Sequence, residues 1–375
     1  MFASIRRTLA LALRIVRQFV RDRRTLALLF IAPLLIMTVL NFVLGSSDST
    51  SLTLAVVPPQ GLGHDLIQQG VSKALANAKG VQVIYISADQ VDAKLTSGDA
   101  NAALIFPPDF ATAASVGERP TVTLRLDGSN PPAAEQAKQL VTFIVASFNQ
   151  AGANPGGPAA APVALQTTYL YGGPQYTQTD ALAPLFIGLF AFFFVFLLAS
   201  VAFLRERSQG TLERILVSPL SRTELTLGYV LGFMIFATLQ SLVILGFVIY
   251  VLRVHYAGNL WLLFLVTLAL TIGGVNMGIF ASAFARNELQ VIQFIPLLIV
   301  PQILLGGLFF PVNTLPVVLK QLAYIMPLTW ANFALKDVML KGLGFSDIWP
   351  DLLFLVGFAI LMVIVSAFSL RQERA

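Results

Sequence analysis

Six long apolar stretches, separated by short breaks rich in arginine, leave this chain few folds other than a helical membrane protein. They cover residues 26–44, 181–204, 226–252, 260–285, 289–310 and 352–370. A bilayer-spanning helix needs roughly 20 apolar residues. The arginines gather at the breaks: Arg6 to Arg24 at the start, Arg205, Arg207, Arg214 and Arg222 after the second stretch, Arg286 after the fourth, Arg371 and Arg374 at the end. Arginine and lysine flanking a span stay on the cytoplasmic side. Six crossings then put both termini in the cytosol, where Arg371 and Arg374 agree with the count. The lysines, with Arg119, Arg125 and Arg253, fall on the far side.

Only 11% of the residues are charged and 56% are hydrophobic, against about 25% charged in soluble domains. The formal charge of +5 comes from the cytoplasmic arginines, which anionic headgroups attract, so it does not mark nucleic-acid binding. With no cysteine and only His64 and His255, a Cys/His metal site and disulfides are excluded. No span carries Asp or Glu in its middle; Asp180 and Asp351 stand at edges. Ion-coupled porters usually need such a carboxylate, so the driving energy comes from elsewhere. The first apolar stretch reads as an uncleaved anchor, because the segment before it is too long for a signal peptide and residues 42–45 are a poor cleavage site.

Residues 45–180 read as one extracytoplasmic domain inserted after the first span. Strands are expected at 52–57, 81–86, 102–106, 121–126 and 166–171, and helices at 63–78, 88–96, 107–116 and 132–150. That alternation implies an α/β layer with a mostly parallel sheet. Residues 151–162 (AGANPGGPAAAP) form an extended loop. The fold class is therefore membrane α-helical: an N-terminal interfacial helix over 1–25, a first span at 26–44, the α/β domain at 45–180, and a five-helix domain over 181–375.

On the N-terminal helix, Ile5, Leu9, Ala12, Val16, Phe19 and Val20 share one face, with Arg6, Arg7, Arg14, Arg17, Arg21 and Arg24 on the flank and opposite side; Leu11 and Arg23 break the pattern. This is the form of a helix lying in the headgroup region. It serves either as a topology anchor or as an elbow that also touches a cytoplasmic partner.

The break at 205–225 reads RERSQGTLERILVSPLSRTEL. Gly210 ends the preceding helix, Thr211 can cap a short one running through Ile215 and Leu216, and Ser218-Pro219 ends it. Ser221 can then cap the next span, with Glu224 at the capping-box position. Ile215, Leu216 and Val217 make an apolar ridge flanked by charge, a surface suited to another protein.

This run, continued as TLGYVLG, resembles the segment between the second and third spans of ABC-2 type ABC transporter permeases. The layout of an amphipathic start, one span, a large insert and five further spans is also similar to those permeases with a large N-terminal insert. Residues 311–345 resemble their short re-entrant helices before the last span. The resemblance implies a coupling loop that fits a separate ATPase subunit, carried here by Glu206, Gly210, Thr211, Glu213, Arg214, Ser218 and Pro219. It implies a second permease copy, identical or related, no cofactor on this chain, and ATP with magnesium on the partner. The chain itself has no G-x-x-x-x-G-K-[ST] phosphate loop.

Scarce polar residues inside the spans should face the bundle interior and pair across helices. They are Gln240, Ser241, Thr271, Asn276, Gln290, Gln293 and Gln302. Phe190, Phe194, Gln240, Asn276 and Gln293 are the candidate lining of a path for an amphipathic or hydrophobic substrate, although packing and structural hydrogen bonding are the commoner uses of such residues. Gly228/Gly232 and Gly274/Gly278 have the spacing for close helix contact, and Pro296 and Pro301 should bend the fifth span. The expected function is the permease subunit of an exporter in a bacterial cell membrane. The alternative is a non-transporting receptor or anchor whose external domain binds a ligand.

Overall fold

The computed structural model describes residues 2–44, 52–59, 67–68, 71, 80–110, 112–113, 119–151, 162–211, 221–285, 287–307 and 311–369. The chain divides into two compact units, one formed by Met1–Val43 with Leu182–Ala375, the other by Leu44–Ala181.

The smaller unit is an α/β sandwich. Its strands are β1 (Leu52–Val57), β2 (Val81–Tyr85), β3 (Ala102–Ile105), β4 (Thr121–Asp127) and β5 (Ala164–Tyr171). They form one sheet in the order β2-β1-β3-β4-β5. Neighbours pair in parallel except β3 with β4, which run antiparallel. The mostly parallel sheet expected from the alternation is thus present. Strand β1 has both faces covered, which is why it reads as a continuous apolar run. Leu52, Leu54 and Val56 point into the core beneath α4 (Pro131–Ala151), with Ala133, Ala137 and Val141. Ala55 and Val57 point the other way, toward Val91 and Leu95 of α3 (Val91–Thr96). Of the helix expected at 63–78, only Ile67, Gln68 and Val71 are described, and these are helical; most of the helix expected at 107–116 and nearly all of the loop at 151–162 also lie outside the described residues.

The larger unit is helical. It contains α1 (Phe2–Arg21), α2 (Arg23–Leu44), α5 (Gln178–Ser208, which starts in the smaller unit), α6 (Arg222–Gly246), α7 (Leu260–Ala283), α8 (Glu288–Leu305), α9 (Val317–Ile325), α10 (Pro327–Met339) and α11 (Phe345–Ser369). Among the described residues, five helices are long and apolar enough to cross a membrane: Arg23–Phe42, Gln178–Ser208, Leu227–Val251, Leu260–Ala283 and Phe345–Ser366. In the stretch expected as the fifth of six crossings, 289–310, residues 308–310 lie outside the described set and the helix ends at Leu305. Gly306 caps it and Gly307 turns with φ +81°, a conformation open to glycine and costly for other residues. The last span also begins earlier than expected, so Asp351 lies within α11 and not at its edge. Residues 311–345 hold the short helices α9 and α10.

The N-terminal helix departs from its expected facing. Thr8, Leu11, Ala12, Ile15 and Phe19 are buried, while Ile5, Leu9, Leu13 and Val20 are exposed. Leu11, which looked like a break in the pattern, is central to the contact. The cause is a groove on α6. A Cβ at Gly228 would lie 2.6 Å from the Leu11 side chain, and one at Gly232 would lie 2.9 Å from Ile15. Phe19 packs edge-on against Phe233 and Phe236, each at 5.5 Å. Part of the apolar surface of α1 therefore covers a helix, and the remainder stays exposed. Arg23, the other apparent break, starts α2 after a stop at Asp22.

Gly274 and Gly278 do the same for α5 and α7. A Cβ at Gly278 would sit 2.6 Å from the Phe196 carbonyl oxygen, and one at Gly274 would sit 3.1 Å from the Phe192 ring. Lipid gives no hydrophobic drive between helices, so close backbone approach of this kind is a main source of their cohesion.

Replacing Gly228 or Gly232 with valine should destabilise the purified protein by about 1–3 kcal/mol, the usual cost of overpacking. Gly246→Ala, where an added Cβ meets nothing within 4 Å, should be neutral or stabilising. Thermal unfolding in detergent distinguishes the three, and equal midpoints would disprove the seating of α1 on α6.

Candidate functional site

The site lies where α1, the end of α5 and the start of α6 meet. Helix α5 finishes in Arg205, Glu206, Arg207 and Ser208. Gly210, at φ +68°, takes the left-handed conformation that closes a helix, and its N–H donates to the Arg207 carbonyl at 3.1 Å. The Thr211 hydroxyl donates to the Glu206 carbonyl at 2.8 Å. The bond seen at Thr211 thus runs back into α5; the cap expected for a following helix falls on residues outside the described set. Glu213, Arg214, Ser218 and Pro219 also lie outside it.

Ser221 builds the capping box expected from the sequence. Its hydroxyl accepts from the Glu224 N–H at 3.2 Å, and the Glu224 carboxylate accepts from the Ser221 N–H at 2.7 Å. The other carboxylate oxygen takes Arg7 of α1 at 3.0 Å. The Glu224 carboxyl is held below the ordinary carboxylate range, first by the Ser4 hydroxyl, then by the Ser221 N–H and hydroxyl and by Arg7, against a smaller opposing effect of desolvation.

Glu206 does not present itself to a partner. It is buried, accepts from the Tyr229 hydroxyl of α6 and lies 3.7 Å from Arg14 of α1. The two ends of segment 209–221 are thus tied to the same helix, one through Arg14 and Glu206, the other through Arg7 and Glu224. Nearby, Asp22 caps α2 by accepting from the Thr25 N–H at 3.2 Å and the Thr25 hydroxyl at 2.5 Å. Those two bonds, chiefly the hydroxyl, with a contribution from Arg205, hold its carboxyl below the usual range. Arg207 donates to the carbonyls of Ser282, Ala283 and Ala285 at 2.9–3.4 Å, closing the C-terminus of α7. A cation there also opposes the negative end of the helix dipole.

The candidate path residues are only partly brought together. Phe190 and Phe194 are buried on α5, with ring centroids 6.2 Å apart. The Gln240 amide on α6 reaches across to the Phe190 carbonyl at 3.3 Å. Asn276 is buried but donates within its own helix, to Ile272. Thr271 and Gln302 likewise donate within their own helices. Gln293 is exposed on α8 and so does not share their buried setting. Interior-facing thus holds for Gln240, Ser241, Thr271, Asn276 and Gln302, while pairing across helices holds for Gln240 among these side chains. Sequence reasoning missed Tyr229, Ser366 and Asn332. Ser366 donates to the Asn276 carbonyl at 2.9 Å, and Asn332 donates to the Gly306 carbonyl at 2.7 Å. Their isolated polarity inside apolar runs was the available signal.

Because Asp22 and Glu224 have lowered pKa values, each contributes stability above its unfolded value, near about 4, and that contribution is lost as pH falls through the lower folded value. Thermal midpoints should therefore drop below about pH 4, and the Asp22→Asn/Glu224→Gln pair should flatten that acid limb. An unchanged limb would show that these carboxylates do not carry it.

A family model described as ABC-2 family transporter protein matches residues 23–368. The chain is similar to the probable multidrug ABC transporter permease YbhR of Escherichia coli (strain K12), 25% identical over 338 residues that cover 90% of each protein. It is similar to the probable multidrug ABC transporter permease YbhS of the same organism, 24% identical over 368 residues, 96% of this chain and 95% of the relative. ABC transporter G family member 20 of Dictyostelium discoideum is 29% identical over 214 residues, and that match spans 56% of this chain and 29% of the relative's length. With the family model matching almost end to end, and permeases of equal length beside it, the chain belongs to the ABC-2 transporter family as a membrane permease and not an enzyme.

Proposed function

We propose that this chain is one permease half of an ATP-driven exporter, moving amphipathic or hydrophobic compounds out of a bacterial cell. A separate ATPase subunit hydrolyses ATP with magnesium, and two permease copies, identical or related, complete the machine. In this reading residues 205–225 are the coupling loop, both termini are cytosolic, and α8 is the fifth of six crossings. The α/β unit stands on the outer side.

The observation that carries the proposal is the double tie of segment 209–221 to α1, through Arg14–Glu206 at one end and Arg7–Glu224 at the other. A load applied between two anchored ends moves α5, α6 and α1 together. The buried Glu206–Tyr229 contact makes that group stiff. The names of the two Escherichia coli relatives, probable multidrug permeases, support a cargo of varied apolar compounds.

Reversing the charges of Glu213 and Arg214 together should leave the permease–ATPase complex assembled while export per ATP hydrolysed falls at least tenfold. Co-purification with transport in reconstituted vesicles reads both, and wild-type coupling would refute the loop's role. Gln240→Leu and Asn276→Leu should change export of a fluorescent amphipathic dye without loss of the folded state. Unchanged export by both would remove these residues from the path.

A further inference from the structure

A groove of about 280 Å³ lies between the α1–α2 elbow and the end of α5. Its mouth is polar, with Gln18, Asp22, Thr25 and Arg205. Deeper in, its walls are aliphatic: Leu28 and Leu29 from α2, Leu197, Leu198 and Val201 from α5. Phe194 is the lining residue farthest from Arg205 along α5. From Phe194 to Arg205 the helix rises about 16 Å at 1.5 Å per residue, roughly half of the ~30 Å hydrocarbon core. The groove thus has the depth of one leaflet and the polarity gradient of one lipid. Its volume lies just under the roughly 300–1,000 Å³ of pockets that hold whole drug-sized molecules, which fits a single acyl chain.

The headgroup can be read from the mouth. Its two charged groups have opposite sign, Asp22 and Arg205, and their nearest N···O separation is 3.8 Å. That is an ion pair longer than a hydrogen bond, and a guanidinium with five donors and a carboxylate with several acceptor sites can each serve more than one group. Their side chains are 38% and 44% exposed, so neither is closed off. Arg205 has the planar donor fork suited to a phosphate. Asp22 spends one bond on each oxygen capping α2, and a carboxylate has further acceptor capacity. Exposed Arg21, Arg23 and Arg24 on the same elbow favour phosphate at this level.

We propose that this groove is a binding site for a resident phospholipid with a primary-amine headgroup, of the phosphatidylethanolamine type. The phosphate sits on Arg205, the ammonium donates to Asp22, and one acyl chain fills the aliphatic part between α2 and α5. The lipid wedges the elbow against the last turn of α5, which carries Glu206, and it is a fixed component, not cargo.

The test uses the full chain, purified, stripped of lipid with detergent and returned to nanodiscs. Each nanodisc holds an equal mixture of phosphatidylethanolamine, phosphatidylcholine and phosphatidylglycerol. Lipid retained after mild re-extraction is measured by mass spectrometry. The wild type should retain the ethanolamine lipid at least tenfold over the others. Asp22→Asn, which keeps a good helix cap but loses the charge, should lose that preference while keeping its fold by circular dichroism. Arg205→Gln should lose retention of all three. Val201→Phe, which narrows the groove without touching the mouth, should lower total retention. Equal retention of the three lipids by the wild type, preference for phosphatidylglycerol, or unchanged selectivity in Asp22→Asn would each overturn the assignment.

Discussion

A carboxylate kept from water at the end of α5 organises the helical unit. Glu206 meets Tyr229 from α6 and the half-exposed Arg14 from α1, so three helices share one polar cluster centred on a buried carboxyl group. Taking an ionisable group out of water is costly unless partners satisfy it, and here they come from two other helices. The cluster is therefore a poor device for raw stability and a strong one for position. It admits one arrangement of α1 against α5 and α6 and penalises the rest. The Gly228/Gly232 groove supplies the steric half of the same constraint by letting Leu11 and Ile15 close up on the α6 backbone.

The same economy runs through the rest of the unit. Contacts between helices are made by glycine against backbone or ring, as at Gly278 on Phe196, and by single amides or hydroxyls, as at Gln240, Ser366 and Asn332. Several of these buried groups keep an acceptor with no donor among the described residues, including Gln240 Oε1, Asn276 Oδ1 and Asn332 Oδ1. An unmet buried acceptor costs roughly 1–3 kcal/mol. A bundle that carries such costs in one arrangement holds polar capacity that a second arrangement, or a passing solute, can use. That property suits a transporter better than a passive anchor.

Much of the local structure was readable beforehand because its causes are local. The capping box at Ser221 and Glu224, the turn at Gly210 and the strands of the sheet follow from neighbours within a few positions. The facing of α1 was not readable in this way. Periodicity marked Ile5, Leu9 and Val20 as one face with Ala12 and Phe19, yet the buried set is centred on Leu11 and Ile15. The deciding feature is a pair of glycines more than 200 positions away. Asp351 was placed at the edge of its span because apolarity alone drew the boundary, whereas the helix starts earlier.

By itself the sequence determined the class of the molecule: long uncharged runs force helices that satisfy their own backbone in lipid, and an alternating insert forces an α/β sheet. It also located the segment that stands between α5 and α6. Only the tertiary structure decided what that segment is fastened to. Arg7 and Arg14 looked like headgroup ligands, and the fold turns them onto Glu224 and Glu206; Arg207 looked like a topology signal, and the fold seats it on the end of α7. The physical reason is that a charge near a membrane surface can be satisfied by water, by lipid or by a distant residue. Which one it meets depends on packing between helices, and periodicity along one helix carries no information about that.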